Sequence, residues 1–332
     1  MRLFIFITLV CLSSLSFARE LAPIWPLESN LFWKDAPLER YIQPTASGKI
    51  ESGLFGCVRS GGNQFHEAID IRAQSRDKKG EATDAVLCVL PGKVAYINSV
   101  AGNSSYGRYV VVVHDTEPGI FTLYAHLASV SEQIKVGQRV RAGSVLGVVG
   151  RSAGGYHIPK TRAHLHFEMG LRLSNRFDAW YQAQKYSSKN KHGVWNGVNL
   201  KGFNPLPLFE EVRDGAYAGM ANYIKSRPTA FVLEIVTRSI PDFVDRYPAL
   251  LTGPIPASGV QGWRIDFTAY GLPKSWTPLQ DTIANKQGAV TLLRFDPELL
   301  DKTACKKTII VGKNGSYRLG KDIRRTLALL FD

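Results

Sequence analysis

The stretch His164-Leu165-His166-Phe167-Glu168-Met169 alternates without exception, placing His164, His166 and Glu168 on one side and Leu165, Phe167 and Met169 on the other. Side chains two apart share a face of a β-strand, so the pattern predicts a strand with one face in a core and two imidazoles on the other. Those imidazoles then lie roughly 7 Å apart, a spacing at which one can hold a metal while its neighbour reaches a bound substrate. Upstream, in Phe65-His66-Glu67-Ala68-Ile69-Asp70-Ile71, His66 and Asp70 share a face opposite Phe65, Ile69 and Ile71. Four-residue spacing also joins His and Asp on a helix, but the alternation favours a strand or a strand-entering loop.

Between these two stretches the chain reads as β structure. Ala85 to Leu90, Lys93 to Ile97, Tyr109 to Val113, Phe121 to Ala125 and Ser144 to Val149 are short apolar runs separated by Pro91-Gly92, Pro118-Gly119 and Val136-Gly137-Gln138. Strands joined by such turns predict a mainly antiparallel β domain. His126 closes one strand and is placed to face a groove. His114 follows a valine run and reads as structural, while His157 and His192 read as surface residues, with His157 near enough in sequence to line a site.

The remaining sequence sets the organisation. Arg2, the apolar run Leu3 to Leu12 and Ser16-Phe17-Ala18 predict an export leader cleaved after Ala18, and no later run reaches the length of a membrane span. Residues 19–48, interrupted by Pro23, Pro26, Pro37 and Pro44, read as an irregular lead-in, which either packs on the next domain or lies across the site with Asn30 near it. After the leader, Cys57, Cys88 and Cys305 leave two readings: a Cys57–Cys88 disulfide with Cys305 free, or three buried thiols. The net charge of +13 favours an anionic partner, against the plainer reading of a basic surface that maintains solubility.

Taken together, Phe55-Gly56, His66-Glu67-Ala68-Ile69-Asp70-Ile71, Tyr124-Ala125-His126-Leu127 and His164-Leu165-His166-Phe167-Glu168 resemble the lysostaphin-type (LytM-like) zinc metallopeptidases, which cleave peptide bonds in bacterial cell walls. Lys135 to Val140 and Gly143 to Gly147 fit as well, and Phe203 to Leu208 resembles the family's closing segment. The resemblance implies a β-sandwich with a groove, one Zn²⁺ per chain held by His66, Asp70 and His166, and two non-ligand active-site histidines, His126 and His164. Two imidazoles and one carboxylate suit tetrahedral zinc and leave a position for water. No His-Glu-x-x-His helix offers a glutamate base, so the non-ligand histidines must handle protons and developing charge. His164 is assigned as base and His126 as stabiliser, roles that can be exchanged, and Glu168 as a partner that orients an imidazole.

Two departures from the family pattern stand out. The loop Arg151 to Ala163 is bulkier and more basic than the family's, and an insertion at about 171–202 carries Phe177, Trp180, Tyr181, Tyr186 and Trp195. The insertion is either a substrate-contacting flap or, as composition favours, a plain surface excursion. The chain then divides into a leader (1–18), a lead-in (19–48), a metallopeptidase domain (49–209) and an α+β C-terminal domain (210–332) in which no further catalytic motif appears. The expected function is a periplasmic or secreted zinc endopeptidase acting on peptidoglycan stems or cross-bridges. The alternative is a non-catalytic LytM-like module that binds wall or regulates other hydrolases. Peptide or peptidoglycan is the expected substrate and an anionic wall or envelope polymer a further partner. Nucleic acid is not expected, since no recognition motif accompanies the charge.

Overall fold

A computed structural model describes residues 22–282, 284, 286–312 and 316–332; the expected leader lies outside them, as does Lys313-Asn314-Gly315, whose Asn-Gly pair between residues 307–312 and 316–319 predicts a hairpin turn. Among the described residues no helix is long and apolar enough to cross a membrane. The N-terminal strands are β1 (Gly56–Arg59), β2 (Gln64–His66), β3 (Ile69–Arg72), β4 (Ala85–Leu87), β5 (Gly92–Asn98), β6 (Tyr109–His114), β7 (Phe121–Ala125), β8 (Ser129–Val130), β9 (Arg139–Val140), β10 (Val145–Val148), β11 (His164–Arg172) and β12 (Leu200–Phe203). The main sheet runs β12-β11-β7-β6-β5-β9, with β3 also paired to β11, and every pairing in it is antiparallel. A smaller sheet, β4-β10-β8, and the hairpin β1-β2 complete this half.

β11 organises the sheet because β3 and β12 pair with successive halves of it, at His164 to Phe167 and at Met169 to Arg172, while β7 pairs along Ala125 to Phe121. Its alternation works as expected: Leu165, Phe167 and Met169 enter the main apolar core. The valine run of β6 is buried on both faces. Val110 and Val112 point into that core, whereas Tyr109 and Val111 join Phe121, Leu123 and Trp195 in a second cluster. Trp195 comes from the insertion, so that segment is not a plain surface excursion. It covers the outer face of the sheet with Trp195, sends Phe177 into the main core, and holds His192 between Tyr109 Oη at 2.9 Å and Asn103 O at 3.2 Å. His192 is therefore a packing residue rather than a surface one.

The lead-in packs inward. Trp25 stacks on Phe32 at 4.5 Å and meets Phe209 edge-on, and Gln43 N–H donates to Asp70 O at 2.8 Å. Asn30 is exposed. Beyond Phe209 come a four-stranded antiparallel sheet ordered β15-β14-β13-β16 (β13 Phe231–Val236, β14 Gly262–Phe267, β15 Pro273–Leu279, β16 Val290–Phe295), a two-stranded pair β17-β18 (Ile309–Val311, Tyr317–Leu319) and the helix Lys321–Phe331. The apolar core continues from Trp25 through this region to Leu330.

The cysteine expectation is overturned: Cys57 on β1 is bonded to Cys305, 248 residues away, with Cα atoms 5.7 Å apart. Cys88 is the free, buried thiol; burial pushes it up to about 11, and its S–H donates to Leu90 O. The bond ties the β1-β2 hairpin to the C-terminal region. Tyr270 does the same sterically, since its hydroxyl lies 2.7 Å from where a Cβ on Gly56 would sit, and Gly56 has φ +119°. Only glycine fits that approach.

Candidate metal centre

Pairing geometry assembles the site. His166 on β11 lies directly opposite Asp70 on β3 and opposite Ala125 on β7, the residue before His126. Of the two readings, a strand or a strand-entering loop, Phe65 to Ile71 combines both: β2 ends at His66, β3 starts at Ile69, and fully buried Ala68 lies in the break. The break lets β2 pair with β1 while β3 pairs with β11, and His66 still meets Asp70.

His66, Asp70 and His166 are all buried and offer ligand atoms within 4.8 Å of one another. Each histidine has its other nitrogen fixed. His66 Nδ1–H donates to Leu54 O at 2.7 Å, and His166 Nε2–H donates to Glu168 Oε1 at 3.0 Å. That leaves His66 Nε2 and His166 Nδ1 facing each other at 3.3 Å, each 3.2 Å from Asp70 Oδ1. Anchoring the distal nitrogen sets the tautomer and strengthens the donor, which is the pattern of metal-binding imidazoles. Burial alone would push the Asp70 carboxyl up, but the imidazoles of His66 and His164 and a hydrogen bond from His166 hold it well below the usual carboxylate range. Asp70 is therefore an anion ready to bind a cation. Two imidazole nitrogens and one carboxylate oxygen fit zinc, and three protein donors leave a coordination position over.

His126 and His164 flank this cluster in the same tautomer. Nδ1–H of His126 donates to Ser152 O at 2.9 Å and Nδ1–H of His164 to Arg162 O at 2.7 Å, leaving both Nε2 lone pairs inward. The rings lie 4.9 Å apart, and His164 Nε2 is buried with no hydrogen-bond partner, 3.5 Å from Asp70 Oδ1. Burial, reinforced by His164 and His166, keeps His126 well below the ordinary imidazole range, and burial likewise lowers His164 against the pull of Asp70. Both are neutral bases at pH 7. His126 also holds a left-handed backbone (φ 61°), a conformation costing on the order of 1–3 kcal/mol in a non-glycine residue and concentrated at functional sites.

The structure thus brings together all five histidine and aspartate positions expected from the sequence, together with Glu168. His114 lies apart, its Nδ1–H donating to Pro91 O and its Nε2 2.7 Å from Thr122 Oγ1. His157 is exposed beside Arg151. Sequence reasoning missed three residues. Tyr106 packs its ring 5.3 Å from His166 and lines the same cavity as Glu168. Tyr156, half exposed in the basic loop, brings its hydroxyl to 3.5 Å from His126 Nε2. Arg59 reaches Asp70 and His66 from β1. No spacing rule reveals these, because loops and a separate hairpin deliver them; only Arg59, three residues beyond the Phe55-Gly56 block, was close to a segment already singled out.

A mostly antiparallel β fold carrying a buried His-Asp-His group that could hold a metal, beside two further imidazoles, defines the class. Residues 64–178 match the model of peptidase family M23, and this segment is a peptidase M23 domain. The cell division protein DipM of Caulobacter vibrioides is 35% identical over 141 residues, covering 40% of this chain and 20% of DipM, so the chain spans only a fifth of that relative. Among solved structures, the catalytic domain of the M23 protein EnpA from Enterococcus faecalis is 24% identical over 45% of this chain and 86% of its own, with a TM-score of 0.27. A zinc-containing peptidase from Vibrio cholerae is 25% identical over 39% of this chain and 35% of its own, also with a TM-score of 0.27.

Proposed function

We propose that the protein is an exported zinc endopeptidase that hydrolyses peptide bonds in peptidoglycan stems or cross-bridges, with residues 49–209 as the catalytic unit and 210–332 as an accessory domain. The observation that carries this reading is the hydrogen-bond pattern: four histidines each give one N–H to a fixed acceptor, so that their four other ring nitrogens and Asp70 Oδ1 converge, with His166 Nδ1 available to a metal once it gives up its proton. His66, Asp70 and His166 would hold the zinc. When bound, zinc supplies Lewis-acid polarisation for attack of water on a carbonyl.

The chain's own groups do the rest. His164 Nε2, neutral and unpartnered, accepts the proton that the attacking water gives up. His126, its ring fixed by Ser152 O, faces the developing charge and shares the proton traffic, and the two roles are exchangeable between these imidazoles. Glu168 and Leu54 O keep His166 and His66 in register. The half-exposed Tyr156 and the basic loop around it form the wall nearest His126, where substrate enters.

A module that binds wall or regulates other hydrolases without turnover is the second reading, and the specific observation on its side is that Arg59 already engages two of the three metal-holding residues. Incubation of the protein with cross-linked peptidoglycan, with and without a zinc chelator, and mass spectrometry of the released fragments separates the two. Chelator-sensitive cleavage at a peptide bond is expected; intact wall after incubation with zinc-loaded protein refutes the peptidase reading.

A further inference from the structure

A metal held by His66 needs the lone pair on Nε2, because Nδ1–H is committed to Leu54 O at 2.7 Å. That lone pair already accepts a hydrogen bond, from Arg59 Nη2 at 2.9 Å, and the same nitrogen donates to Asp70 Oδ2 at 2.5 Å. The two contacts differ in what they block. Asp70 presents Oδ1, not Oδ2, to the histidines, so the Arg59–Asp70 pair is compatible with a metal on Oδ1. The Arg59–His66 contact is not, since one lone pair cannot serve both a guanidinium and a metal.

Arg59 cannot withdraw with its strand. β1 is paired to β2 through Gly56↔His66 and Cys57↔Phe65, and Cys57 is bonded to Cys305. The side chain is tied too, with Arg59 Nε donating to Ser52 O at 3.1 Å. The side chain is nonetheless 26% exposed, so a rotation that gives up the Ser52 bond to water carries the guanidinium towards solvent.

We infer that Arg59 is a built-in competitor for the metal seat: it balances the buried Asp70 charge when no metal is bound and must turn away from His66 before one can bind. This rests on the reading that His66, Asp70 and His166 hold zinc. Arg59 thereby weakens and slows metal capture while protecting the metal-free fold, since an unpaired buried carboxylate is costly.

The test uses the oxidised full-length protein, stripped by chelation, with zinc affinity measured by competition against a chromogenic chelator and thermal midpoints recorded with and without zinc. Arg59→Met is expected to bind zinc about tenfold more tightly, the scale of one charge-assisted hydrogen bond, with a lowered metal-free midpoint and a larger zinc-induced rise. Arg59→Gln leaves an amide for Asp70 Oδ2 but is too short to hold His66. It should show the tighter binding with a smaller loss of metal-free stability, and serves if the methionine variant does not fold. Wild-type protein that binds zinc with the same or higher affinity than both variants overturns the inference alone. Absence of zinc binding in all three proteins overturns the metal reading with it. Binding by the variants but not by the wild type is the inference in its strongest form.

Discussion

The proton on His166 should make zinc capture steeply pH-dependent. Burial pushes this imidazole down, but hydrogen bonds and charge from Asp70 and Glu168 outweigh it and raise it to about 9. Zinc needs Nδ1 unprotonated, so the metal competes with a proton at every pH below about 9. At pH 7, about two units lower, roughly one molecule in a hundred has Nδ1 free, and zinc affinity should be about 100-fold below its plateau. The sign is fixed: affinity rises by about a decade per pH unit from 7 to 9 and levels off above. Without metal the same shift works the other way, and the stability from the protonated imidazole is present below its unfolded value and lost as pH rises through about 9. Chelator competition from pH 6.5 to 9.5, corrected for the chelator's own protonation, reads the slope, and calorimetry in buffers of different ionisation enthalpy reads about one proton released per zinc at pH 7. Glu168→Gln removes one of the two carboxylates and should move the sloping region to lower pH. A flat affinity between pH 7 and 9 with no proton release refutes the reasoning.

Three further outcomes are expected. His166→Ala should lose zinc, whereas His164→Ala should keep zinc and lose about 10²- to 10⁴-fold in turnover, and equal zinc loss in both would refute the division of roles. Opening the 248-residue loop with Cys57→Ser should destabilise the protein by about 4 kcal/mol in urea unfolding, and an unchanged midpoint would argue against a structural bond. Buried His114 is pushed by desolvation from 6.5 to about 4, so the stability its neutral form provides is present above pH 6.5 and declines as pH falls towards 4, by up to about 3 kcal/mol. His114→Gln should flatten that acid limb; an identical limb in the variant would show that other groups govern it.

How much of this could be read from the residues varies with the range of the interaction. His164 to Met169 carried its strand, its buried face and its two inward imidazoles because alternation is a local signal. The meeting of Asp70 with His166 depends on register between strands 96 residues apart, and resemblance to a known family supplied it where periodicity did not. β15 escaped notice because Pro273 and Pro278 mask a strand that sits at a sheet edge, where proline is tolerated. The insertion's aromatics gave no hint of their address, since Trp195 is buried only by a sheet face formed from β6 and β7. Cysteine pairing was misjudged for a related reason: proximity in sequence favoured Cys88, but that thiol lies in the core with its S–H on Leu90 O, while Cys57 is on a hairpin facing the far end of the chain.

The Cys57–Cys305 bond also imposes an order of events. A chain that emerges N-terminus first presents Cys57 and the whole His66-to-His166 stretch before Cys305 is made, 248 residues after its partner. The hairpin carrying Arg59 and His66 can be locked only once nearly the entire polypeptide is available and an oxidant is at hand. The clasp is thus set only after the strands of the four-stranded C-terminal sheet have been made, so a prematurely released fragment would carry His66, Asp70 and His166 without the bond that ties down the hairpin carrying His66.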